Sequence, residues 1–420
     1  MRTIILLVLA LISFQCFSQQ PAQYYFNLAN EALAKKDYEE YSIQIRKANE
    51  RRPNHPVIVA KVAEAWALTS RRKRAVQTIR QMLLMDATYD FEGNTIFDDI
   101  RNHRDYGELL ELQRTLGTKE VHDETYLTIH AAELHPESFV LLEDGGLLLG
   151  SIRKKKIVKV SPEGLVTDWL DLPFAVLGMK PDYEKNHIWV STAAMPEMEG
   201  FEPEDQGKSI VCQIDISSGR IIQGIEFDET SIIGDIVLDS LSRLWLSNSL
   251  EPYLTRTNTD TAEYLGSFSR LQYDMVDTQF NLQGLTLTEN EEHLYFADYI
   301  SGIHRINFVE DKIEKIFAPE TSLLKGIDGL YFYNNTLIAI HNGTKPYKVV
   351  QYFLNDTGLT IELERVINRG GESLGEPTLG QVKDGYFYYL ANSPWPAYDA
   401  EKNLNVEGWG PIEIRRIKLD

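Results

Sequence analysis

Gly234-Asp-Ile-Val-Leu-Asp-Ser-Leu-Ser-Arg-Leu-Trp-Leu-Ser-Asn248 opens on a small residue and runs through an apolar stretch, a polar turn and a second apolar stretch to a polar exit. That pattern is two short antiparallel strands joined by a tight turn. It returns five times in degraded form, starting at Glu137, Gly178, Gln283, Asp328 and Glu376. Successive starts lie 41, 56, 49, 45 and 48 residues apart. A repeat of that length built from short strands is the signature of propeller blades. Six copies predict six blades.

Each blade is then expected to be an antiparallel meander whose first strand lines a central channel. Asp144-Gly145, Glu289-Asn290 and Asn334-Asn335 supply the turns after that strand. Trp189, Trp245, Tyr295 and Tyr389 lie in second strands, where they pack between blades. Tyr126 to His130 is expected to close the ring alongside Pro411 to Leu419. The starts Glu137, Gly178, Gly234, Gln283, Asp328 and Glu376 then surround one mouth of the channel, where chemistry would sit.

The front of the chain reads differently. Leu28, Ala29, Ala32, Tyr41, Ile45, Ala48 and Pro53 recur 34 residues later as Val62, Ala63, Trp66, Ala75, Ile79, Met82 and Ala87. This resembles two tetratricopeptide repeats, with residues 101–116 as a capping helix. The basic runs 46–52 and 71–74 read as solvated turns. The expected architecture is an all-α helical-repeat domain (19–118) followed by an all-β six-bladed β-propeller (119–420).

Residues 1–18 have the make-up of a signal peptide: Arg2, an apolar stretch 4–14 and a small-ended site at Cys16-Phe-Ser18. They imply an exported protein, periplasmic or extracellular, with lipid attachment at Cys16 as the alternative. No later stretch is long and apolar enough to span a bilayer. The formal net charge of −20 disfavours nucleic acid and anionic lipid as partners. Beyond the leader only Cys212 remains, in an alternating strand pattern that makes it a small buried hydrophobe. Gly207-Lys-Ser209 lacks the earlier glycine of a phosphate loop, and its insertion, 195–207, reads as a solvated loop with a lid over the channel as the alternative.

Gln283-Gly-Leu-Thr-Leu-Thr-Glu-Asn-Glu-Glu-His-Leu-Tyr-Phe-Ala-Asp298 resembles the Asn-Gly-Leu phrase of the senescence marker protein/gluconolactonase family. Gly326-Ile-Asp-Gly-Leu330 and Pro136-Glu137 resemble two further phrases of that family. The likeness covers roughly residues 130–400 and implies a calcium-dependent hydrolase of a small lactone or ester. By this resemblance Glu137, Gln283 and Asp328 hold a divalent cation, and Asp328 also moves a proton. Gln283 stands in place of the family's asparagine, and Gly234 in place of another, with Asp235 adjacent. Asp235, His341 and Asn392 are the candidate substrate contacts. The alternative is a non-catalytic scaffold that binds a ligand on the propeller face or a protein through the helical repeats.

Overall fold

The computed structural model describes residues 21–227, 231–250, 254–259, 264–267 and 281–420. The leader assigned to 1–18, with Cys16, lies outside these residues.

Four helices open the chain: α1 (Ala22–Ala34), α2 (Tyr38–Arg51), α3 (Pro56–Leu68) and α4 (Arg72–Met85). Asp37 starts α2 by accepting the Glu40 amide at 3.1 Å, and Pro56 occupies the first turn of α3, where a missing N–H costs nothing. The pairs α1/α3 and α2/α4 start 34 residues apart, the period of the sequence. Ala29, Ala63 and Ala75 are fully buried and let the helices approach, while Tyr41, Ile45 and Ile79 fill the space between them. A short 3-10 helix (Thr95–Ile100) adds Phe97 and Ile100 to this core, and α5 (Tyr106–Gly117) covers it with Leu109 and Leu112. The basic runs are more than solvated turns. Arg46, Arg71 and Arg74 lay their guanidinium groups 5.0, 5.8 and 4.7 Å from the ring centre of Trp66.

The remainder is a six-bladed β-propeller, as the repeat requires. Blades 1 to 5 span 136–171, 175–227, 233–267, 282–315 and 327–369, each an antiparallel meander of four consecutive strands. Blade 6 takes three strands from 380–418 and its outermost from Glu124–Ile129, which pairs with Ile412–Lys418. The ring is thus fastened by the residues expected to do so. Glu120–Val121 adds a fifth strand to blade 5. Asn334 and Asn335, both at positive φ (45° and 57°), make the two-residue turn between paired Tyr333 and Thr336.

Blade-to-blade packing uses the second-strand aromatics. Trp189 lies against Ile233 and Ile236 of blade 3, and Trp245 against Leu282 and Leu285 of blade 4. Tyr295 and Tyr389 both pack into blade 5. All four are essentially inaccessible to water. Each large ring buried this way contributes about 2–3 kcal/mol of apolar transfer.

The helices rest on blades 4 and 5. Met82, Met85 and Val59 pack on Leu323, and Lys345 exchanges backbone bonds with Met85 and Ala87 at 2.9 and 2.8 Å. Asn54, in the α2–α3 turn, donates to the Ile300 carbonyl at 3.1 Å. That turn therefore stands beside the channel mouth. Among the described residues, no helix is long and apolar enough to cross a membrane.

Candidate functional site

The same irregularity occurs near the start of five inner strands. The pairing of first and second strands slips between Pro136 and Phe139, Val176 and Met179, Ile233 and Ile236, Leu282 and Leu285, and Ile327 and Leu330. A bulge of this kind breaks the two-residue alternation and re-aims side chains. The residues caught in the slips include Glu137, Gly178, Gly234, Gln283 and Asp328, five of the six repeat starts. Serine hydroxyls on second strands fill two of the gaps: Ser191 accepts the Gly178 amide at 2.8 Å and Ser247 the Asp235 amide at 2.9 Å. In blade 6 the sixth start, Glu376, forms an isolated bridge with Ser393 ahead of the first regular strand.

These bulges open onto a cavity of about 630 Å³ at the channel mouth. Glu137, Gly234, Asp235, Gln283, Asp328 and Glu376 line it from the inner strands. Leu177 lines the cavity in place of Gly178, which lies so close to blade 3 that a Cβ there would stand 2.8 Å from the Gly234 carbonyl. A second tier comes from the residues that follow second strands: Ser249, Tyr299 and Asn342. Trp395 and Met195 border one side. The 195–207 insertion is not merely a solvated loop: Met198 is buried, and Glu197 pairs with Lys402 at 2.7 Å, tying the insertion to the loop after Trp395.

The mouth is acidic and none of its described lining residues is basic. Glu137 accepts from the Trp395 indole at 2.8 Å, Asp328 from the Asn342 amide at 2.9 Å, and Glu376 from the Tyr347 hydroxyl at 3.3 Å. Burial, and then the charges of Asp328 and Glu376, hold the Glu137 carboxyl well above the usual range. Burial, then Glu376 and Asp235, push Asp328 up to about 7. Burial pushes Glu376 up to about 7 as well. Gln283 donates to Asn281 at 2.8 Å, and its Oε1 lies beside Gly234, 3.3 Å from where a Cβ would stand. The side-chain amide oxygen of Asn342, Oδ1, is buried without a hydrogen-bond partner. Among the described residues, no three His, Cys, Asp or Glu side chains gather closely enough to ring a metal ion. A cation here would therefore take amide oxygens beside the carboxylates.

The other candidate contacts are placed differently. Asp235 lines the cavity, but its carboxylate accepts the Ile236 and Leu285 amides at 2.8 and 3.1 Å and so ties blade 3 to blade 4. His341 lies outside the lining, fully buried. Its ring nitrogens face the Tyr352 hydroxyl at 2.9 Å and the Lys325 carbonyl at 3.2 Å. Asn392 is also outside, bonded to Pro411 and Glu413 at 2.8 Å each, where it braces the closing strand. Cys212 is buried, and burial pushes its thiol up to about 11, which suits packing and not nucleophilic attack. Tyr299, Asn281 and Trp395 were not singled out from sequence. Tyr299 was the most accessible of these, since it follows Asp298 at the same repeat position as Ser249 and Asn342.

A larger hollow of about 980 Å³ lies between α5 and blade 5. Its charges are already paired, as Arg80–Glu108, Arg365–Asp420 and Arg369–Glu120 across the hollow and as Glu111–Arg114 and Glu364–Lys348 behind it, which leaves no convergent set of charged groups.

No family model matches this sequence, and no curated protein matches it either. Among solved structures, the chain is similar to a glucose dehydrogenase-like oxidoreductase from Thermus thermophilus, at 14% identity and a TM-score of 0.46, over 71% of this chain and 100% of that one. It is similar to virginiamycin B lyase from Staphylococcus aureus at 13% identity and a TM-score of 0.45, over 72% and 100%. The WD40 repeats of RRP9 match at 9% identity and a TM-score of 0.48, over 72% and 100%. Likenesses this distant say nothing about the chemistry of the mouth, which rests on its own residues.

Proposed function

We propose that the channel mouth is a small-molecule site where a divalent cation, calcium by its taste for oxygen donors, assists hydrolysis of a small lactone or ester. The observation that carries this reading is a channel-mouth cavity with four carboxyl groups and no basic residue among its described lining. Carboxyls crowded in this way favour either protonation or a cation. The donors fit a hard ion: Glu137, Asp328, the Gln283 amide oxygen and the unpartnered Asn342 oxygen. Such an ion, when bound, would polarise the substrate carbonyl and lower the pKa of water. Asp328 is the candidate proton acceptor; its carboxyl, raised by burial and by Glu376 in the metal-free site, would be drawn back down by a bound cation and so be ionised to take a proton. As water adds to the carbonyl carbon and the C–O bond of the ester breaks, the water proton passes to Asp328 and on to the departing alkoxide. Trp395 and Asn342 fix the two carboxylates through their hydrogen bonds. The make-up of residues 1–18 supports a site of action outside the cytoplasm, and the 34-residue helix period supports a tetratricopeptide-like front end.

A panel of γ- and δ-lactones and short-chain aryl esters, assayed with calcium and with chelator, tests the reading. Turnover that chelator removes and that falls at least a hundredfold in Asp328→Asn supports it. Turnover unchanged in that variant removes Asp328 from the chemistry. A second reading, a binding protein without turnover, draws on Gln283 being tied to Asn281 and on the lack of a three-ligand cluster among the described residues. It predicts calcium uptake with no hydrolysis.

A further inference from the structure

A second cavity, of about 370 Å³, adjoins the mouth and shares Asn281, Tyr299 and Ile300 with it. Its outer wall is not propeller. Residues 52–56, the turn between α2 and α3, form that wall together with Met85, while Leu323, Lys325, Gly326 and Gly343 form the inner one.

The two hollows are opposite in character. The mouth has four carboxyls and no described base, whereas the adjoining cavity has Arg52, His55 and Lys325 and no described acid. Neither Arg52 nor Lys325 has an ion-pair partner among the described residues. The acid whose charge reaches Lys325, Asp298, is already engaged by the Asn281 and Ile300 amides at 3.1 and 3.0 Å and by Ser301 at 2.5 Å. His55 stands at the N-cap position of α3 with its side chain making no capping bond, and its Nδ1 is buried without a partner. Burial and the neighbouring Lys315 hold the Lys325 ammonium down to about 8, with Asp298 only partly opposing them. Two cations without an ion-pair partner among the described residues and an unpartnered imidazole nitrogen around one open hollow form a receptor for an oxyanion.

We infer that the helical segment completes the binding site, and that the ligand of the channel carries a carboxylate which sits against Arg52 and Lys325 while its carbonyl end enters the acidic mouth. This deepens the reading of the mouth as a small-molecule site and rests on it. Charge sets the orientation: the four carboxyls of the mouth offset the charge of a bound divalent cation, whereas the adjoining cavity presents Arg52 and Lys325 with no described acid in its lining, so the anionic end is drawn to the latter. The shared wall of Asn281, Tyr299 and Ile300 puts the two ends within one small molecule's length. The helical front end then acts as a specificity element fixed to blades 4 and 5.

Calorimetry with calcium-loaded full-length protein tests this, using 5-oxotetrahydrofuran-2-carboxylate and its neutral carboxamide as probes. The wild type should bind the carboxylate about tenfold more tightly than the carboxamide. Arg52→Gln and Lys325→Met should each reduce that preference, and the double variant, shown by cooperative melting to be folded, should erase it by bringing carboxylate affinity down to that of the carboxamide. Equal affinity for both probes in the wild type, or a preference that survives the double variant, overturns the inference and leaves the mouth's role standing. Failure of the wild type to bind either probe counts against the mouth reading and the inference together.

Discussion

Asp123 and Arg415 form a two-pronged ion pair, Nε to Oδ2 at 3.0 Å and Nη2 to Oδ1 at 2.9 Å, that joins the segment leaving the helices to the last strand of the chain. Asp123 is wholly buried and also accepts from Tyr389 and from Asn368. The pair thus sits at the seam where Glu124–Ile129 closes blade 6. Removing one partner of a buried pair costs about 3–5 kcal/mol when the other charge is stranded, but Arg415 keeps Glu413 at 3.0 Å. Asp123→Ala should therefore lower unfolding stability by about 2–3 kcal/mol, at or just below the lower end of that range, in calcium and in chelator alike. A loss below about 1 kcal/mol would show that the seam is held by strand pairing alone.

The crowded carboxyls of the mouth make a pH-dependent prediction for metal-stripped protein. Asp328 is raised from 3.8 in the open chain to about 7 in the fold. A carboxyl raised on folding contributes stability fully below pH 4, and that contribution is lost as pH climbs through 7. Asp328→Asn removes the ionisation. The variant and wild type should have similar stability at pH 4, and the variant should be the more stable at pH 8 by up to about 4 kcal/mol. Denaturant titrations at the two pH values check this, and an equal difference at both would contradict it.

Gly284 provides a test from the packing side. A Cβ there would stand 2.4 Å from the Leu330 amide nitrogen and 2.6 Å from the Asp328 carbonyl oxygen, both backbone atoms of the next blade. Gly284→Ala must push blades 4 and 5 apart where two candidate ligands, Gln283 and Asp328, are held. Overpacking of this kind costs about 1–3 kcal/mol. Calcium affinity should fall at least tenfold in a variant that still melts cooperatively; unchanged affinity would place the ion elsewhere.

Much of the fold was legible because a propeller repeats its instructions. The turn of Asn334-Asn335, the inter-blade Trp189 and Trp245 and the closing strand each announce themselves in local sequence, and each is where the pattern puts it. The starts of the inner strands were legible for the same reason, although the bulges that aim Glu137, Gln283 and Asp328 were not. His341 and Asn392 show the limit. Sequence places both near strand exits, but the direction of each side chain is set by partners far along the chain, Tyr352 and Lys325 for one and Pro411 and Glu413 for the other. Trp395 reaches Glu137 across 258 residues of sequence, and the α2–α3 turn reaches Ile300 across 246, distances over which no periodicity carries information. The repeat encodes the frame, and contacts between distant segments finish the site.

The most direct test of the acidic mouth as a cation site is calorimetric titration of calcium into metal-stripped protein, with Glu137→Gln and Asp328→Asn measured alongside. One site should be seen in the wild type, and each variant should lose at least tenfold in affinity, about 1.4 kcal/mol, while keeping its fold. A folded wild type that takes up no calcium, or variants that bind it as tightly as the wild type, would contradict the account.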